Sequence, residues 1–131
     1  MFVFHFTAVP GPVRGLAVSF LSEEATYNSS SRTFSIAANI SWQLPQFPNG
    51  EIVAYSYRLV ETGGVVVIEN MNTTALSVVQ NTTVSPFTNY TATVVAYTSA
   101  GSGDSVMQVV LSPEAGIVTI WISWHMGTGG H

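Results

Sequence analysis

Apolar residues recur at every second position over several short stretches of this chain. The clearest stretch is residues 34–42, where small or polar residues separate Phe34, Ile36, Ala38, Ile40 and Trp42. A period of two is typical of a β-strand that buries one face and exposes the other. The pattern therefore predicts a strand whose even-numbered side chains enter a core.

Six further stretches predict strands in the same way. They cover residues 16–20, 53–59, 65–68, the neighbourhood of 76–78, 90–96 and 106–111. The side chains predicted to face inward are those of Val53, Tyr55, Tyr57, Leu59, Leu76, Val78, Tyr90, Ala92, Val94 and Ala96. Seven short strands without an amphipathic helix predict an all-β chain, an antiparallel sandwich of two sheets.

Turn-forming residues separate these strands. Pro48-Asn49-Gly50 and Gly63-Gly64 have the residue types that tight turns require. Residues 22–31 show no periodicity and predict a long loop between the first two strands. Gly101-Ser102-Gly103-Asp104 predicts a flexible hairpin loop before the last strand.

Tyr90 stands where the sixth predicted strand begins, just after the turn Val84-Ser85-Pro86. A tyrosine at this corner of a sandwich donates or accepts a hydrogen bond that ties its hydroxyl to nearby backbone. We therefore interpret Tyr90 as structural, and Trp42 likewise. The predicted structural core comprises Trp42, Tyr55, Pro86, Tyr90, Val94 and Ala96.

With these motifs in this order, the chain resembles a fibronectin type III domain. The likeness covers about residues 10–113 and rests on Trp42, the Pro45/Pro48/Gly50 turn, Tyr55, Pro86-x-Thr88-x-Tyr90, Ala96 and Gly101-x-Gly103. Pro48-Asn49-Gly50-x-Ile52 is also similar to repeats of receptor tyrosine phosphatase ectodomains and neural adhesion molecules. The long first loop, Val84 in place of leucine and extra residues before the fifth strand depart from the family pattern.

The resemblance implies a seven-stranded immunoglobulin-like sandwich over residues 10–113. Residues 1–9 are then an N-terminal flank or linker, and residues 114–131 are a C-terminal flank of unknown structure. Family members are mostly extracellular repeats of receptors, adhesion proteins and matrix proteins. They bind other proteins or neighbouring repeats and set spacing, without a cofactor.

The composition excludes several other classes of function. The chain has three cationic side chains, Arg14, Arg32 and Arg58, no lysine, and a net charge of −4, so it is a poor partner for nucleic acid. It has no cysteine, and its three histidines, His5, His125 and His131, lie outside the predicted sandwich. We therefore expect no catalytic triad and no metal site. The apolar run 117–124 is too short to span a membrane, for which about 18–20 residues are needed.

Five of the seven asparagines stand in Asn-x-Ser/Thr acceptor sequences: Asn28, Asn39, Asn72, Asn81 and Asn89. Chance would give roughly 1.5 such matches at this serine and threonine content. The excess favours a glycosylated, extracellular chain, although strands rich in serine and threonine also create such sequences by accident. Asn39 and Asn89 are out of phase with inward neighbours, so both should point to solvent.

Two segments are candidate interaction surfaces. Val65-Val66-Val67-Ile68 is an apolar strand that would invite a partner if it lay at a sheet edge, unless another part of the protein covers it. The loop of Gly101, Ser102, Gly103 and Asp104 is the other, although such a loop is more often only a turn. We expect a noncatalytic interaction and spacer module of a larger extracellular protein. The alternative is an accessory linker module of a secreted multidomain enzyme.

Overall fold

The computed structural model describes residues 7–114, which form eight β-strands in two antiparallel sheets. The strands are β1 (Arg14–Asn28), β2 (Thr33–Gln43), β3 (Ala54–Glu61), β4 (Val66–Thr73), β5 (Ser77–Val84), β6 (Asn89–Thr98), β7 (Gly101–Ser102) and β8 (Val106–Leu111). The predicted all-β sandwich is confirmed. The structure has one strand more than predicted because a two-residue strand, β7, precedes the last one.

The three-stranded sheet has the order β1-β2-β5. Its first strand corrects the prediction of a long loop over residues 22–31, because β1 continues to Asn28. An irregularity between Leu21 and Thr26 holds extra residues on β1, which breaks the period-two pattern, and pairing with β2 then resumes. Tyr27 packs on Phe34 with ring centroids 5.1 Å apart.

A short turn joins β1 to β2. The Asn28 side-chain oxygen accepts hydrogen bonds from the backbone N–H groups of Ser30 at 2.9 Å and Ser31 at 3.3 Å. An asparagine that closes a turn onto its own backbone in this way replaces the main-chain bonds lost at the reversal. The turn is therefore confined to the residues between Asn28 and Thr33, and the rest of the predicted loop belongs to β1.

The five-stranded sheet has the order β4-β3-β6, with β7 and β8 both paired to the other side of β6. The strand β4 is thus at one edge and β8 at the other. The predicted flexible loop at residues 101–104 is corrected as well. Gly101 and Ser102 pair with β6, and the Gly103 N–H donates to the Ala96 carbonyl at 2.8 Å.

The core lies between the two sheets. Trp42, Tyr55, Tyr90, Val94 and Ala96 are all buried in it. The Trp42 ring lies 5.5 Å from the Tyr55 ring and 6.0 Å from the Tyr57 ring, centroid to centroid. Burial of such aromatic and aliphatic side chains between the two sheets supplies most of the favourable free energy of a sandwich.

Two residues predicted to face inward do not. Val53 and Leu76 are exposed, because β3 begins only at Ala54 and β5 only at Ser77. Together with Leu44 they border an open depression of about 190 Å³. Pro86 is half-buried at the turn before β6.

The described ends of the chain lie at opposite ends of β6. The Thr98 hydroxyl, at the last residue of β6, donates to the Ala8 carbonyl at 2.7 Å. The Phe87 N–H, just before β6, donates to the Pro113 carbonyl at 2.9 Å. A strand of ten residues is about 30 Å long, so the two ends are separated by about that distance.

Candidate interaction surfaces

The corner between β5 and β6 fixes the path of the chain near Tyr90. The Ser85 N–H donates to the Tyr90 hydroxyl oxygen at 2.7 Å, and the Tyr90 ring is fully buried. Burial raises the pKa of Tyr90, the carboxylate of Glu61 raises it further, and the bond from Ser85 opposes both. The hydroxyl and the backbone are joined as the sequence predicts.

Ser112 braces the same corner from the other side, and the sequence pattern did not reveal this role. Its hydroxyl oxygen accepts from the Thr88 N–H at 2.8 Å and lies 2.5 Å from the Ser85 carbonyl, to which it donates. The Ser112 N–H donates to the Thr88 carbonyl at 2.9 Å. Only the serine's place directly after the last strand, beside Pro113, hinted that it had a structural role.

The valine-rich segment at residues 65–68 does begin an edge strand, but only part of it is surface. Ile68 pairs with Leu59 and is 2% exposed, so it belongs to the core and is withdrawn as a surface candidate. Val65 and Val66 are exposed. The Val67 carbonyl accepts a hydrogen bond from the Thr82 hydroxyl of β5 at 2.9 Å. The edge of β4 is therefore partly covered by the other sheet.

The Gly101–Asp104 segment packs against the start of the chain. A Cβ atom on Gly103 would lie 2.2 Å from the Pro10 carbonyl oxygen, a distance that no real side chain tolerates. Ser102 and Asp104 are exposed. Glycine at position 103 thus serves close packing, and only the two exposed residues remain available to a partner.

Four of the five sequon asparagines, Asn28, Asn72, Asn81 and Asn89, are exposed, and Asn39 is half-buried. Asn39 pairs with Val79 and Asn81 pairs with Ala37, so both asparagines share the outer face of the three-stranded sheet. Asn89 lies opposite Leu111 at the rim of the other sheet. Glycans on Asn39 and Asn81 would cover one face of the sandwich.

The outer face of the five-stranded sheet carries exposed apolar side chains that the sequence pattern did not predict. Met107, Val109 and Leu111 alternate along β8 and are all exposed; we call them the apolar stripe. Val109 pairs with Thr91, and Thr91 pairs with Val60, which pairs with Val66. These residues form one row across the sheet. The period-two pattern of β8 did not show which face was exposed, because Val106 and Val110 make most of its inner face apolar as well.

The charged residues described on this face form one pair. The Arg58 Nε and a Glu69 carboxylate oxygen are 3.8 Å apart, and both side chains are nearly half exposed. The two residues face each other across β3 and β4. Such an exposed pair contributes little to stability, about 0–1 kcal/mol.

Within residues 7–114, no three histidine, cysteine or acidic side chains converge in a way that would hold a metal ion. The three histidines lie outside the described residues, so the structure does not place them. Among the residues described, no helix is long and apolar enough to cross a membrane.

No protein-family model matches the chain, and no curated protein matches it either. Solved structures do resemble it. The extracellular domains d3–d4 of rat CD45 match with a TM-score of 0.58 at 21% identity, covering 81% of this chain and 51% of that one. A structure described as a myokine matches with a TM-score of 0.55 at 16% identity, covering 80% of this chain and 99% of that one.

A fragment of titin containing its kinase and flanking domains matches with a TM-score of 0.58 at 18% identity, covering 90% of this chain and 19% of that fragment. This chain therefore spans about half of the CD45 fragment and a smaller part of the titin one. Identities of this size establish the fold alone. The chain has the β-sandwich fold of fibronectin type III and immunoglobulin-like domains.

Proposed function

We propose that this chain is a noncatalytic spacer and protein-interaction module, one repeat of a larger cell-surface or matrix protein. The observation that carries the proposal is the position of the two described ends, which are hydrogen-bonded at opposite ends of β6. A module held in this way passes the chain from one end to the other over about 30 Å. A neighbouring domain at each end would be kept at that distance.

The hydrogen bonds at both ends support a stiff spacer. At one end, the Gly11 N–H donates to the Phe47 carbonyl and the Ala8 N–H donates to the Asn49 carbonyl, each at 2.9 Å. At the other end, Ser112 and Pro113 are bonded to the corner before β6. Force or thermal motion must break several bonds at once to detach either end.

The absence of native cysteine makes the spacing directly measurable. A donor and an acceptor dye on the double variant Ala8→Cys and Glu114→Cys report the end-to-end distance by single-molecule energy transfer. We expect one narrow distance distribution near 30 Å plus the dye linkers, unchanged up to the onset of unfolding in urea. A broad or drifting distribution under native conditions would contradict the spacer role.

The extracellular part of the proposal rests on the sequons. Four of the five sequon asparagines are exposed, and so are the Ser30, Thr74 and Thr83 side chains that complete three of the sequences. Expression through the secretory pathway, followed by enzymatic removal of N-glycans, should lower the mass of the protein. The variant Thr83→Ala leaves Asn81 in place but destroys its acceptor sequence, and should remove one glycan's mass. A secreted chain without a glycan at any sequon would contradict the extracellular assignment.

A further inference from the structure

We propose that the outer face of the five-stranded sheet is a self-association surface that packs against the same face of a second copy of this chain. This inference deepens the proposed interaction role and rests on it. The surface consists of the apolar stripe on β8 together with Val60 and Val66.

The strand β8 has no charge, proline or bulge that would oppose packing of another protein against its outer face. Its sequence, Val-Met-Gln-Val-Val-Leu, contains no charged residue and no proline. Its pairing with β6 runs from Val106 to Leu111 without an irregularity. Natural edge strands are usually protected by charges, prolines or bulges. In the opposite edge strand, β4, two register shifts interrupt the pairing with β3.

The exposed side chains on β8 would be costly to leave in water. Met107 is 64% exposed, Val109 57% and Leu111 48%. Burial of an apolar side chain is favourable by roughly 25 cal/mol per Å². Three such side chains in one row, continued by Thr91 and Val60, form a contiguous patch, which is typical of a protein contact.

The charges on this face favour a second copy of the chain as its binding partner. The face carries one positive and one negative side chain, Arg58 and Glu69, side by side on neighbouring strands. Under a two-fold rotation, Arg58 of each copy can approach Glu69 of the other, so the face is complementary to itself in charge. A partner of uniform charge would leave one of the two residues opposite a like charge.

The other face of the sandwich is a poor competitor for this role. The three-stranded sheet presents Asn39 and Asn81, two sequon residues, on its outer face. Its other outward positions are mostly small or polar, as in Ser19, Ser41 and Thr83, and Val79 is its one large, strongly exposed apolar side chain among the described residues. Glycans there would hold a second copy away.

The size of the patch predicts a weak dimer. Four strands about 4.8 Å apart and six residues at about 3.3 Å each give a face of about 20 by 20 Å. Stable interfaces bury about 800 Å² of accessible surface on each partner, and this face, at about 400 Å² in projection, is about half that size. We therefore expect a dissociation constant of roughly 10–1000 µM.

Sedimentation velocity on the full chain made in bacteria, which carries no N-glycan, tests the proposal. Such material is needed because Asn89 lies at the rim of the face, opposite Leu111. Met107→Lys should weaken dimerisation about tenfold or more. The matched control is Val79→Lys, on the outer face of the three-stranded sheet: both side chains are 64% exposed and both lie on edge strands. The control should dimerise like the unmodified chain.

The charge variants give a second measurement. Arg58→Glu and Glu69→Arg should each weaken self-association, whereas an equimolar mixture of the two variants should associate more strongly than either alone. The proposal is overturned if the unmodified chain is monomeric at about 1 mM, if the two lysine variants behave alike, or if the mixture gains nothing. Each of these results leaves the distance and glycan tests of the spacer role unaffected.

Discussion

Removal of the Ser112 hydroxyl should destabilise the fold more than any other single-atom change at the β5–β6 corner. Ser112 is 2% exposed, and its hydroxyl links the Thr88 N–H to the Ser85 carbonyl. In Ser112→Ala both backbone groups lose this partner. Each buried polar group left without a partner costs about 1–3 kcal/mol, so we expect a loss of about 2–4 kcal/mol in the free energy of unfolding.

Urea denaturation followed by tryptophan fluorescence measures this loss. A change of 1 kcal/mol shifts the midpoint of thermal unfolding by about 4–8 °C in a domain of this size, so Ser112→Ala should lower it by about 8–32 °C. Ser105→Ala, at an exposed serine outside the strands, is the matched control and should change the free energy by less than about 0.5 kcal/mol. An equal effect of the two variants would refute the bracing role of Ser112.

A double-mutant cycle with Tyr90→Phe tests whether the two side chains act on one element. Tyr90 accepts from the Ser85 N–H, and Ser112 donates to the Ser85 carbonyl, so both hold the same residue. Once either anchor is lost, the corner can relax, and the second loss should cost less. We expect a coupling energy of about 0.5–1 kcal/mol, against zero for independent sites.

Two further predictions concern ionisation and close packing. Burial raises the pKa of Tyr55 and of Tyr90 above the ordinary 10.0, so the unfolded chain releases these protons first and stability should fall as the pH rises above 10. In urea titrations, Tyr55→Phe should lose less stability above pH 10 than the unmodified chain. An equal loss in the two proteins would exclude Tyr55 as a source of the pH dependence. Gly103→Ala should lower the free energy of unfolding by about 1–3 kcal/mol, because the new Cβ would collide with the Pro10 carbonyl. Faster amide hydrogen exchange at Ala8 would show that the start of the chain detaches. Unaltered exchange would contradict the packing argument.

The sequence predicted the fold wherever alternation was strict and both sheets covered the strand. Strand β6 shows this best: Tyr90, Ala92, Val94 and Ala96 were predicted to face inward, and all are fully buried. Inward positions on a central strand must be apolar, and a slip by one residue would expose every one of them. The pattern therefore allowed only one orientation of the side chains of β6.

The pattern failed where a strand ends or bulges. In β1 the extra residues between Leu21 and Thr26 shift the phase, so periodicity is lost although pairing continues to Asn28. Val53 kept the phase of β3 but lies just beyond its end, where the other sheet no longer covers it. Periodicity reports which side a residue faces, and only tertiary structure decides whether anything lies on that side.

The candidate surfaces were harder to predict than the fold for a related reason. A glycine loop and a run of valines attract attention in a sequence, yet Gly103 is needed for packing and Ile68 is in the core. The apolar stripe was not predicted because apolar residues occur on both faces of β8. A strand of that composition is expected in the middle of a sheet, and its position at an edge follows only from the order of strands.

The two outer faces of the sandwich differ in polarity. Selection for a folded, monomeric domain would place charges on the outside of β8, since a single lysine there would not disturb the core. Met107 and Val109 instead remain apolar on a chain that has no lysine at all. Solubility must then come from other features, and the sequon asparagines on the three-stranded sheet are the polar groups best placed to provide it. If they carry glycans, one face of the module is solubilised by sugar while the other is left free for contact, and removal of Asn39 and Asn81 should reduce solubility without changing self-association through β8.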